Sequence, residues 1–136
     1  MQEIINSLLT YAEKLNLGVI YTTALTKKTQ SFADTQSQSI VINSNWYRPS
    51  QLPFIIAHEI SHLLQCSSGD AQLSATTLLN ERYEKEANHQ AIHLLVPFYV
   101  IDKEKEQVNV YEFMKLFDLP TYLEDICHTE LHQYIN

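Results

Sequence analysis

Residues 53–64 read Pro-Phe-Ile-Ile-Ala-His-Glu-Ile-Ser-His-Leu-Leu, and no other segment restricts the fold as much. Pro53 suits the first turn of a helix, where its missing N–H is not needed. Phe54, Ile55, Ile56, Ala57, Ile60, Leu63 and Leu64 then occupy almost every side of that helix. A helix apolar all round is buried in a core, so the polar residues it carries, His58, Glu59 and His62, are costly there unless they find partners. The rest of the chain has to enclose this helix and supply those partners.

The chain has 136 residues, 45% apolar and 18% charged, which leaves room for one domain over residues 1–136 with a sizeable core. Ile4, Ile5, Leu8, Ala12 and Leu15 recur at helical spacing and predict a helix over residues 2–16, with Gly18 placed as a left-handed cap. A short strand follows at residues 19–22. Residues 30–33 and 39–43 flank the polar turn Asp34-Thr35-Gln36-Ser37, which predicts a small, mostly antiparallel sheet of about three strands. Beyond the buried helix that starts near Ser50, residues 66–75 read as a loop and residues 77–96 as a helix stopped by Pro97. Residues 102–107 form a charged, solvated connector. Asn109 and Glu112 make a capping-box signature, and Pro120, Thr121 and Glu124 open a last helix. The class is α+β, with an N-terminal helix, a small sheet, a buried central helix and a helical C-terminal half.

Composition removes several functions. Two glycines, Gly18 and Gly69, cannot build a dinucleotide fingerprint or a P-loop. A net charge of -7 disfavours direct nucleic-acid binding, which needs a basic face. Cys66 and Cys127 form neither a CxxC pair nor a disulfide framework, which fits a reducing cytoplasm. Residues 1–11 carry no basic n-region or cleavage pattern, and no apolar run has the length to span a bilayer.

All six histidines fall in pairs four residues apart: His58 and His62, His89 and His93, His128 and His132. On a helix this spacing stacks two imidazoles on one face, within reach of one ion. Only the first pair has the HExxH arrangement. Glu59 lies roughly 100° round the helix from His58, so it reaches a water on the open side of such an ion, where a general base belongs.

A catalytic zinc takes three protein ligands. The metzincin pattern needs Gly at position 65 and His at position 68, where this chain has Gln65 and Ser68, so that class is excluded. The gluzincin pattern takes its third ligand from a later helix as Glu-x-x-x-Asp/Asn, and Glu84 with Asn88 supplies it 22 residues after His62. Helix phase selects Glu84, because Glu84, Asn88, Ala91 and Leu95 share a stripe beside Ala87 that faces the core. Arg82, Glu86, His89 and His93 gather on the opposite face, so both of these histidines read as surface residues. His128 and His132 read likewise, with Glu130 between them in the wrong phase for HExxH. Asn88 is placed to accept a hydrogen bond from the non-ligating nitrogen of a zinc histidine. No spacing singles out one of the eight tyrosines as an oxyanion donor, and Cys66 reads as inert filler.

Residues 54–64, Glu84 to Asn88 and Leu94-Leu95-Val96-Pro97 together resemble the core signature of the ImmA/IrrE family of metallopeptidases of bacteria and their mobile elements. The resemblance covers roughly residues 37–123, ending in Phe117-Asp118-Leu119-Pro120, which is similar to the family's C-terminal segment. It implies a small zincin-like fold, zinc on His58, His62 and Glu84, Glu59 as base, and cytoplasmic cleavage of a helix-turn-helix repressor, often on DNA damage or mobile-element or prophage induction. His89-Gln90-Ala91-Ile92-His93 departs from the family's Phe-Ala-Ala type of sequence after the Asn, which leaves the ligands untouched. With no added DNA-binding or sensor domain, the chain is not expected to sense damage or control transcription unaided.

Two function classes meet this sequence. One is a zinc endopeptidase in which Glu59 takes a proton from water and passes it to the leaving amine, with the Ile40-Val41-Ile42 strand at the cleft edge holding an extended substrate by backbone pairing. The other is a zinc-containing anti-repressor that sequesters its partner without cutting it. Glu59 favours the first, because binding alone has no use for a base. A structural zinc domain needs a fourth ligand, and no cysteine is placed to provide one.

Overall fold

Ile5, Leu8 and Ala12 are the buried stripe of α1 (Gln2–Lys14) in the computed structural model, which describes residues 1–66 and 77–135. The turn after α1 is made by Asn16, not by Gly18: Asn16 takes the left-handed backbone at φ 64°, and Gly18 already opens β1 (Gly18–Thr22). A Cβ there would meet the Ser39 side chain of the neighbouring strand, which would have to turn aside.

β2 (Phe32–Asp34) and β3 (Ser39–Asn43) form the expected hairpin. The Asp34 carboxylate accepts the Gln36 N–H at 3.0 Å, and Gln38 adopts a left-handed φ of 53°. Strand order is β1-β3-β2, and here the sheet differs from the mostly antiparallel one expected. β2 pairs antiparallel with β3, but β1 pairs parallel with it. A simple meander would be antiparallel throughout; instead β2 starts from the end of the sheet where β1 stops, and its hairpin inserts β3 between them. Ile40 and Ile42 of this central strand are fully buried.

A 3₁₀ turn at Pro49–Gln51 leads into α2 (Leu52–Cys66), with Pro53 in its first turn. Its buried residues Ile56, Ala57, Ile60 and Leu63 belong to a core shared with α1, the sheet and the later helices. Ser61, also buried, returns its hydroxyl to the Ala57 carbonyl at 2.7 Å, which removes the cost of a free polar group inside the core.

α3 (Thr77–Val100) does not stop before Pro97 but runs through it. A proline inside a helix costs about 3 kcal/mol. Val96, Tyr99 and Val100 are buried in that last turn, each burial being worth about 1.5–3 kcal/mol, so packing outweighs the lost backbone bond. Tyr99 also anchors the next segment: its hydroxyl donates to Glu112 at 2.6 Å and accepts the Asn109 N–H at 3.1 Å. The capping box before α4 (Val110–Leu116) is therefore half made. Asn109 Oδ1 accepts the N–H groups of Tyr111 and Glu112, whereas the Glu112 side chain turns to Tyr99 instead of back to Asn109.

A 3₁₀ turn at Thr121–Leu123 opens α5 (Glu124–Ile135). The connector at residues 102–107 is mostly exposed. The loop expected after α2, up to residue 75, and the reading of the Cys66 side chain lie outside the described residues. Among the described residues no helix is long and apolar enough to cross a membrane.

Candidate metal centre

α2 packs closely along α3, with Ala57, Ala87 and Ala91 fully buried, and this brings Glu84 of α3 over the histidines of α2. His58 Nε2 and His62 Nε2 face each other at 3.1 Å. The Glu84 carboxylate spans both, with one oxygen 3.1 Å from His58 Nε2 and the other 2.7 Å from His62 Nε2. Among the described residues these three side chains form a group that could hold a metal ion, with donor atoms all within 4.8 Å of one another.

The donor set fits a transition metal. Two neutral imidazole nitrogens and a carboxylate oxygen each offer a lone pair to a cation. A metal with bonds of about 2.0–2.1 Å keeps tetrahedral ligand atoms about 3.3 Å apart, close to the spacing seen here. Two imidazoles and one carboxylate leave a further position open, the pattern of a catalytic rather than a structural site.

The electrostatics of the triad follow from the same contacts. Hydrogen bonds from His58 and then His62 hold the Glu84 carboxyl well below the usual carboxylate range. Burial alone would push His62 down, but the Glu84 hydrogen bond and the charges of Glu84 and Glu59 outweigh it and leave His62 raised. Glu59 is raised chiefly by burial and also by the Glu84 charge, against the opposing pull of His58 and His62. Its carboxyl therefore holds a proton more readily than an ordinary glutamate.

An open cavity of about 390 Å³ lies over the triad, lined by His58, Glu59, His62, Tyr83 and Glu84 on one side and by residues 30–33 and Thr35 on the other. The second wall ends in β2. β3, by contrast, is paired on both edges, so the expectation that Ile40-Val41-Ile42 forms the cleft edge is corrected: the edge strand at the cleft is β2.

Asn43, fully buried, fixes the loop that leads into β2. Its Nδ2 donates to the carbonyls of Thr26 and Thr29 at 2.7 and 2.8 Å, and its N–H donates to Ser31 Oγ at 2.8 Å. Asn43 and Tyr83 escaped the sequence reading. For Asn43 the signal was a polar residue closing the most β-prone run; Tyr83 had none beyond adjacency to Glu84.

His58 Nδ1 is buried with no hydrogen-bond partner, so Asn88 does not orient that ring in this structure. His89 and His93 are exposed, as expected, and each is also tied to a buried carboxylate. His89 Nε2 lies 2.5 Å and His93 Nδ1 2.9 Å from the two carboxylate oxygens of Glu130, which is 6% exposed on α5. Helix phase gives the direction of that face but not the helix that covers it. His128 and His132 are exposed, the former 3.7 Å from the Glu124 carboxylate.

No curated protein and no solved structure matches the chain. The model of one family does match, Peptidase_M78, described as the IrrE N-terminal-like domain, and it covers residues 12–123. That span takes in β1 to β3, both helices of the triad and the segment up to Leu123, so the chain belongs to the Peptidase_M78, IrrE N-terminal-like, family of metallopeptidase-type domains.

Proposed function

We propose that the chain is a zinc-dependent endopeptidase that acts in the cytoplasm on a protein substrate, a helix-turn-helix repressor of a mobile element such as a prophage. The observation that carries this reading is the position of Glu59, which lines the same cavity as His58, His62 and Glu84 yet stands outside the ligand group. A protein that only held a metal or a partner would have no need of a half-buried carboxylate there. Zinc bound to the triad would supply Lewis-acid polarisation of the scissile carbonyl and activation of a water. Glu59 takes the proton of the attacking water and delivers it to the leaving amine, a task suited to a carboxyl whose burial raises its proton affinity. The free edge of β2 offers backbone N–H and C=O groups for an extended peptide, which holds the scissile bond across the cleft.

Glu59→Gln keeps the size and most hydrogen bonding of the side chain but cannot accept a proton at neutral pH. Zinc content and binding of the repressor substrate are expected to survive, while cleavage falls by several orders of magnitude. If Glu59→Gln relieves repression as well as the wild type, and neither yields a cleavage product, the protein acts by sequestration and the peptidase reading is wrong.

A further inference from the structure

A second cavity, of about 290 Å³, opens beside the metal cleft. The two share Gln30, Ser31 and Glu59, so the general base stands on the boundary between them. Trp46, Phe54, Ile55, Pro120 and Tyr122 make the rest of the wall largely apolar and aromatic, and Glu59 is the one charged residue among those lining it.

The wall is built rather than incidental. Trp46 Nε1 donates to Gln51 Oε1 at 2.9 Å, and Gln51 Nε2 donates to the Asp118 carbonyl at 3.1 Å. The Asp118 carboxylate in turn accepts Arg48 Nη2 at 2.7 Å and Ser50 Oγ at 3.2 Å. Asp118 adopts a left-handed φ of 52°, and the chain turns there into Leu119 and Pro120. This network joins the segment before α2 to the one after α4, and so sets Pro120 and Tyr122 opposite Phe54 and Ile55.

Resting on the reading of the cleft as a zinc peptidase site, we propose that this cavity is a specificity pocket for one large apolar side chain, leucine-, methionine- or phenylalanine-like, of a residue flanking the scissile bond. A peptide whose bond lies at Glu59 has its neighbouring side chain at the mouth of the cavity. An acidic side chain there faces the Glu59 carboxylate, and a small one leaves the aromatic wall wet. Burying a leucine or phenylalanine side chain in such a pocket strengthens binding by about tenfold to a hundredfold.

Trp46 is the sole tryptophan of the chain and part of the pocket wall, so its fluorescence reports occupancy without any need for turnover. The probes are dipeptide hydroxamates that differ only in one side chain: methyl, isobutyl, benzyl, carboxymethyl or 4-aminobutyl. Zinc-loaded full-length protein is titrated with each by calorimetry and by Trp46 emission. The isobutyl and benzyl probes are expected to bind at least tenfold more tightly than the methyl probe and to be the ones that shift Trp46 emission. Ile55→Phe, which fills the cavity, is expected to abolish that advantage at unchanged zinc content; Tyr122→Ala, at a residue 74% exposed, is expected to reduce it without touching the core.

Equal affinities across the series, a preference for the charged members, no binding by any probe, or an unresponsive Trp46 overturns the proposal. The probes need zinc but no hydrolysis. A protein that ranks them as expected yet cleaves nothing refutes the peptidase reading and keeps the pocket, while one that cleaves but does not discriminate refutes the pocket alone.

Discussion

Replacing His89 and His93 together by alanine tests whether Glu130 depends on them. A featureless surface pair would change stability by at most about 0.5 kcal/mol. The Glu130 carboxylate, however, is only 6% exposed, and each of its oxygens meets one imidazole. A hydrogen bond to a charged group is worth about 1.5–3 kcal/mol. The lower end applies here, because the His89 and His93 side chains are 50% and 63% exposed and solvent screens them. Either single alanine leaves one partner in place and is expected to cost about 1 kcal/mol. The double variant strands the carboxylate. Breaking a fully buried pair costs about 3–5 kcal/mol, and the water let in by two truncations reduces this to about 2–3 kcal/mol.

With an unfolding entropy of about 2.1 cal/mol/K per residue over 136 residues, that loss lowers Tm by roughly 7–10 °C. Urea melts of the wild type, both singles and the double variant measure it, and zinc content shows that the metal cleft is intact. Glu130→Leu in the double-alanine background removes the stranded charge and is expected to recover most of the loss. A double variant within about 0.5 kcal/mol of wild type would refute the reasoning and return the two histidines to the plain surface.

Three further outcomes are expected. Purified protein should hold about one zinc per chain and lose most of it in His58→Ala and Glu84→Ala, measured by elemental analysis; retention by Glu84→Ala removes Glu84 from the site. In chelated protein, Glu84, lowered by its hydrogen bonds from the ordinary 4.5, contributes stability above that pH and loses it as pH falls through its folded value. His62, raised from the ordinary 6.5 despite burial, contributes fully below that pH and loses it as pH rises through its folded value. Between pH 6 and 8 the Tm of chelated wild type should therefore fall more steeply than that of Glu84→Gln, and parallel slopes would contradict the pairing. Burial and the nearby Glu124 charge push the Cys127 thiol up to about 12, so peptide mapping after iodoacetamide should find it unlabelled in the native protein and labelled in urea.

What the sequence made legible was whatever rests on short-range periodicity. Residues 53–64 declare a buried helix because their apolar residues leave no polar side, and the turn at residues 34–37 declares a hairpin through Asp34. Strand order was not legible, because nothing local to Gly18 or Ile40 says which strand lies between the other two. The passage of α3 through Pro97 was hidden for a related reason: the burial of Val96, Tyr99 and Val100 that compensates it depends on distant elements. Asn43 is a loop organiser only because residues 26–31 fold back over it. Phe117 to Pro120 resembles a known C-terminal segment, but that Asp118 braces Gln51, and through it Trp46, across some seventy residues of chain could come only from the structure.

The two histidine pairs on α2 and α3 show where spacing stops being informative. Both have the same four-residue interval, so both stack imidazoles on one helix face. In the first pair the two rings present the same atom, Nε2, to each other at 3.1 Å, each also meets one oxygen of Glu84, and the donor atoms of all three side chains gather within 4.8 Å of one another. In the second pair the rings present different atoms, Nε2 of His89 and Nδ1 of His93, to different oxygens of Glu130. Glu130 bridges these two rings, and the three side chains do not gather into a group that could hold a metal ion. A His-x-x-x-His interval therefore supplies the possibility of a metal site, and the direction each ring takes toward the other and toward the third group decides whether the donor atoms gather or are spread over a structural tie. That direction is set by the packing of α2 on α3 in one case and of α5 on α3 in the other, which is tertiary information that helix phase alone does not carry.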